Sequence, residues 1–157
     1  MTEIHEGVCS TISIGDSAIR AMDCRSGWVV GLDSGVVATS ESIGSWNLES
    51  FESIDVVSFG PSLDDNAGIW YSSWNGKGMI FLVGSSIGSV QLELSHGSRI
   101  VTCFANEDTI CFGDISGYIH IIEKEVLRRR FGMLPEREKD SGRASELRKK
   151  IRALRGA

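Results

Sequence analysis

The sequence predicts an all-β domain of repeated antiparallel sheet modules followed by a short C-terminal α-helical tail. Three observations carry that expectation. Short apolar runs ending in glycine-bounded turns fill residues 12–123. One hairpin pattern occurs three times within them. After Glu123 the strand-like runs stop and a cationic stretch begins.

The totals fit one such domain. A chain of 157 residues with 41% hydrophobic and 24% charged residues has the balance of a soluble globular protein and is large enough to bury a core. Eighteen glycines against two prolines suggest many tight turns. No apolar run reaches the roughly 18 residues needed to cross a bilayer. The acidic start "MTEIHEGVCS" has neither the basic nor the apolar region of a signal peptide. Cys9, Cys24, Cys103 and Cys111 form no C-x-x-C pair and read as free thiols buried in strands. A cytoplasmic protein is expected.

Taken in order, the first strand candidate is "AIRAMDC" (Ala18 to Cys24), and "WVVGLDSGVVATSE" (Trp28 to Glu41) follows it as a hairpin. "IDVVSF" (Ile54 to Phe59) adds a strand that the turn "GPSLDDNAG" ends. "IWYSSW" joins "MIFLVG" through Asn75-Gly76-Lys77-Gly78, a good tight-turn sequence. The second hairpin copy is "FLVGSSIGSVQLEL" (Phe81 to Leu94). "RIVTCFA" (Arg99 to Ala105) then precedes the third, "ICFGDISGYIHIIE" (Ile110 to Glu123).

In each copy three apolar residues precede a glycine (Gly31, Gly84, Gly113), a second glycine follows four residues later (Gly35, Gly88, Gly117), and a β-branched residue comes two beyond that (Val37, Val90, Ile119). The second glycine supplies the positive φ that short hairpin loops demand, and the first marks a bulge or a close backbone approach. The intervals between first glycines are 53 and 29 residues, so the modules are unequal.

This pattern resembles the repeats of WD40-like or quinoprotein-like β-propellers, in which Gly-x-x-x-Gly-x-[Val/Ile] occupies the hairpin between the second and third strands of a blade. The resemblance covers roughly residues 12–123 and implies propeller-like blades of antiparallel strands. The Gly-His and Trp-Asp dipeptides of WD40 repeats are absent, as is the tryptophan-docking signature of quinoproteins. No cofactor is expected. At roughly 40 residues per blade and 4–8 blades per ring, residues 1–123 supply about three blades, a partial propeller with exposed edges. Another protein, or further copies of the chain joined head to tail, would complete it. The alternative is a sandwich or a small barrel.

Charge divides the chain at the same place. Residues 1–123 carry four basic and sixteen acidic residues, a balance of −12, while residues 124–157 carry twelve basic and five acidic, +7. Residues 124–157 therefore read as a basic helical tail, with a short helical turn near Leu134-Pro135-Glu136 and a longer helix from about Ser141 or Arg143 to Arg155. Ala144, Leu147, Ile151 and Leu154 form one apolar stripe, and Arg148, Lys149, Lys150, Arg152 and Arg155 lie around it. Arg128, Arg129 and Arg130 extend the cationic field. The stripe has three main uses open to it. It can dock on the acidic body, seat in another protein's groove, or serve a nucleic-acid-binding tail whose cations neutralise phosphates. Membrane attachment is disfavoured, because the apolar face lacks large aromatic residues.

Chemistry is sparse. His5, His96 and His120 show no zinc-ligand spacing. His120, between Ile119 and Ile121, is expected to face solvent opposite them. Asp64, Asp65 and Asn66 lack the alternation of a calcium loop, and "VGSSIG" (Val83 to Gly88) reads as a turn. Trp28, Trp46, Trp70 and Trp74 are expected to fill core. The reading is a non-catalytic protein–protein interaction module, a scaffold or adaptor rather than an enzyme, with a nucleic-acid-associated protein as the alternative.

Overall fold

The computed structural model describes residues 2–5, 8–11, 14, 16–25, 27–40, 52–84 and 89–132. An N-terminal hairpin pairs β1 (Thr2–His5) with β2 (Val8–Thr11). Three antiparallel sheets follow, each with its strands in chain order. Sheet I contains β3 (Ile19–Asp23), β4 (Val29–Leu32) and β5 (Val37–Thr39). Sheet II contains β6 (Ile54–Gly60), β7 (Gly68–Trp74), β8 (Gly78–Gly84) and β9 (Val90–His96). Sheet III contains β10 (Ile100–Ala105), β11 (Thr109–Asp114) and β12 (Ile119–Glu123), and leads directly into α1 (Lys124–Phe131).

The strands form where the apolar runs stand, and burial follows their patterns. β4 and most of β7 are buried on both faces, as continuous apolar runs require, whereas β11 alternates between buried and half-buried. Successive sheets pack face to face. Val29 and Val37 of sheet I share a core with Ile54, Val57, Ile69 and Tyr71 of sheet II. Trp70, Ile80 and Leu82 of sheet II share another with Ile100, Ile110 and Phe112 of sheet III. There Trp70 and Phe112 meet with ring centroids 5.9 Å apart, and the Trp70 indole donates to the Pro61 carbonyl at 2.7 Å. Among the described residues the sheets close neither a barrel nor a ring.

The sheets repeat in register. Each first strand has an irregularity at its start, between Ile19 and Ala21, Ile54 and Val56, and Ile100 and Thr102. The partners there are Leu32 and Gly31, Ser73 and Ser72, and Asp114 and Gly113. The second-strand positions thus recur every 41 residues. The hairpins of sheets I and III are alike in detail. Gly35 and Gly117 have φ of 83° and 85°, and Leu32 N–H donates to the Val36 carbonyl as Asp114 N–H does to Tyr118.

The middle copy differs from the expectation. Gly84 stands on β8, the third strand of its sheet, and the residue in register with Gly31 and Gly113 is Ser72. The hairpin containing Gly84 therefore joins third and fourth strands, not second and third; its loop, residues 85–88, lies outside the described residues. Sheet II has four strands and its neighbours three. The glycine at position 31 has a packing reason, since a Cβ there would overlap Ile54 of the facing sheet.

Further expectations meet the structure unevenly. Trp70 is fully buried and Trp28 and Trp74 half-buried, while Trp46 lies outside the described residues. Cys24, expected in a strand interior, is exposed just beyond β3, while Cys103 and Cys111 are partly buried. Residues 124–131, the start of the expected basic helical tail, form a helix whose Leu127 enters the core between sheets II and III. The expected helices at 134–136 and 141–155 lie outside the described residues. No described helix is long and apolar enough to cross a membrane.

Candidate functional site

The outer face of sheet III carries several exposed apolar side chains among the described residues. Cross-strand pairing puts Phe104, Cys111 and Ile121 in one row and Thr102, Gly113 and Ile119 in the next. Phe104 is 71% exposed, Ile119 72% and Ile121 63%. Ile115 and Tyr118, in the adjoining hairpin turn, are also exposed. In register, these rows are the counterparts of Asp23, Val29 and Thr39 and of Ala21, Gly31 and Val37 in sheet I. There sheet II covers them, and Val29 and Val37 are wholly buried. The corresponding face of sheet II, with Trp70, Leu82 and Ile80, is covered by sheet III. Sheet III is the last of the described sheets in the stack, and no described residue performs that service for it.

A second surface runs along the first strands. β3, β6 and β10 lie side by side and line a groove of about 500 Å³. Two ion pairs tie it together. The Arg99 guanidinium donates to both Asp55 oxygens, at 3.1 and 3.0 Å through Nε, linking sheet III to sheet II. Arg25 pairs with Asp23 and also donates to Ser58 Oγ and to the carbonyls of Phe59 and Ala105. Asp23 accepts from Ser58 Oγ at 2.9 Å and from Phe59 N–H at 3.0 Å. Burial raises the Asp23 carboxyl, but these bonds and the Arg25 charge outweigh it and hold the group below its ordinary value. Beside it Cys103 donates to the Val57 carbonyl at 3.6 Å. Burial pushes this thiol up to about 11, which leaves it protonated and unreactive at neutral pH.

The predicted basic residues separate. Arg128 is used inside the chain, donating to the Asp64 carbonyl and to Asp65 Oδ1 at 2.9 Å. The Asp64–Asn66 loop is thereby part of the seat of α1. Asp64 Oδ1 accepts from Ser62 Oγ at 2.7 Å and from Asn66 N–H at 2.9 Å, as a closed turn does. Arg129 and Arg130 are exposed. Leu147, Arg148, Lys149, Lys150, Ile151, Arg152, Leu154 and Arg155 lie outside the described residues.

One cluster escaped the sequence reading. His96 ends β9, Asp114 ends β11 and His120 lies in β12; the two Nε2 atoms stand 2.8 and 3.2 Å from the same oxygen, Asp114 Oδ2. Their ligand atoms all lie within 4.8 Å of one another. His120 does face opposite Ile119 and Ile121, but the expected directions are reversed. The isoleucines point to solvent and the imidazole points inward, because no described sheet covers the isoleucine face. The Asp114 side chain is fully buried. That burial raises its carboxyl, yet bonds from His96, Tyr118 N–H, His120 and Ser116 N–H prevail and hold it well below the usual carboxylate range. No spacing along the chain marks this trio. Its one sequence signal is an aspartate following Gly113 in the hairpin, with a histidine six residues on.

No protein-family model matches the chain, and no curated protein does. Among solved structures the chain is similar to the computationally designed Ika4 protein, over 72% of this chain and 95% of that one, at 11% identity and a TM-score of 0.35. A likeness of that size carries no argument about fold or function.

Proposed function

We propose that the chain is a non-catalytic protein–protein interaction module, an arc of three propeller-like blades that a sheet of another protein extends at sheet III. The observation that supports this reading is the register between a face buried in sheets I and II and left open in sheet III. Replacing the occupant's contacts with water leaves Phe104, Ile119 and Ile121 exposed together, a grouping that monomeric surfaces seldom carry without use. A second copy joined head to tail fits less well. The complementary face, with Val30, Leu32 and Ala38 of sheet I, is already buried. Arg129 and Arg130, exposed on the last turn of α1, support phosphate binding as a second reading, which a steep loss of RNA or DNA affinity with rising salt would test.

The test is the double substitution Ile119→Lys with Ile121→Lys. On an open docking face it leaves the stability of the isolated chain within about 0.5 kcal/mol and abolishes the binding of an apolar fluorescent dye to the folded protein. A loss of about 2 kcal/mol or more would mean that the chain's own residues already cover the face, and the proposal would fail. Light scattering of the unaltered chain adds the second arm. A dimer dispersed by the same substitutions would replace the foreign partner by a second copy.

A further inference from the structure

We propose that His96, Asp114 and His120 form a zinc-binding site. Two imidazoles and one carboxylate are a donor set suited to zinc, and softer than the all-oxygen sets of calcium or magnesium. Ligands about 2.0–2.2 Å from a tetrahedral zinc stand roughly 3.3 Å from one another. The imidazole nitrogens already stand 2.8 and 3.2 Å from Asp114 Oδ2, so only a small outward shift admits the ion. The rings are 4.0 Å apart and edge to face, which lets both nitrogens converge without the rings colliding.

The carboxylate is oriented for the task. Asp114 Oδ1 accepts from Ser116 N–H at 2.8 Å and from Tyr118 N–H at 3.0 Å, leaving Oδ2 turned toward the histidines. Bonds of this kind behind a ligand fix its direction and raise metal affinity. The side chains of His96 and His120 are 25% and 32% exposed, which provides an entry path and leaves the fourth position to water. His96 comes from sheet II and the other two ligands from sheet III, so the ion would brace one sheet against the next. This inference does not depend on the docking face.

The experiment titrates the full chain with zinc by calorimetry after treatment with a chelator. The site predicts one zinc per chain and a melting temperature that rises with zinc concentration. The pair His96→Gln and His120→Gln should fold, as judged by circular dichroism, and lose both responses. The single substitution His120→Asn, at a half-exposed position, covers the case in which the pair does not fold, and should weaken binding at least about tenfold. Absence of zinc binding by the unaltered chain would overturn the proposal. So would binding undiminished in the folded variants, which would assign the ion to other donors such as His5 or Cys24.

Discussion

Sheets I and III carry the same hairpin, with the same irregularity at the first strand and the same left-handed glycine, yet equivalent residues meet opposite fates. Val37 is 0% exposed and its counterpart Ile119 is 72% exposed. The difference lies in what stands next to each sheet, since sheet II covers one face and no described residue covers the other. Register along a strand decides which residues share a face. The neighbouring sheet decides whether that face is core.

The sharpest way to break the comparison is to place one charge at each of the paired positions. Val37→Asp should cost about 4 kcal/mol or more, enough to unfold a marginal domain. Ile119→Asp should change urea stability by less than about 0.5 kcal/mol. Similar costs at both positions would show that the sheet III face is covered. Within sheet III alone, Phe112→Ala should cost about 3–5 kcal/mol, because its ring packs on Trp70. Phe104→Ala, on the open face, should stay within about 0.5 kcal/mol by the same denaturation.

A smaller effect sharpens the comparison through Asp23, whose counterpart on sheet III is the uncharged Phe104. The folded state holds the Asp23 carboxyl below the ordinary value of 3.8. Its contribution is therefore complete above that pH and is lost as pH falls from it through the depressed folded value. Melting temperature measured between pH 5 and pH 2 should fall less steeply in Asp23→Asn than in the unaltered chain. The smallest effect concerns Ser72, the residue in register with the two hairpin-strand glycines. Its hydroxyl is buried without a hydrogen-bond partner, so Ser72→Ala should be neutral or gain up to about 1 kcal/mol in a urea titration.

Much of the strand content was legible, because runs such as Val29-Val30 and Ile69-Trp70-Tyr71 admit few other placements. The turns at Gly35 and Gly117 were legible for the same local reason, the need for positive φ. The regular period was not. Sheet II has Ser72 where its neighbours have glycine, and a glycine pair one strand later imitates the pattern. The outward face of Ile119 and Ile121 was hidden because apolar alternation names a face without saying what lies against it. The His96–Asp114–His120 cluster joins three strands of two sheets, a neighbourhood that only the register creates. The tail was legible as helical, but the span of α1 was not, because eight residues with one deeply buried side chain, Leu127, give too little periodicity to read.

A linear stack in which each layer touches only the next tends to fray from its ends, layer by layer. Arg25 alters that arithmetic. Anchored beside the first sheet, it reaches carbonyl groups of both the second and the third. Loss of either terminal layer therefore strips bonds from a residue that serves all three. The layers are coupled beyond nearest neighbours, and the body should melt in one cooperative step instead of shedding its sheets in turn.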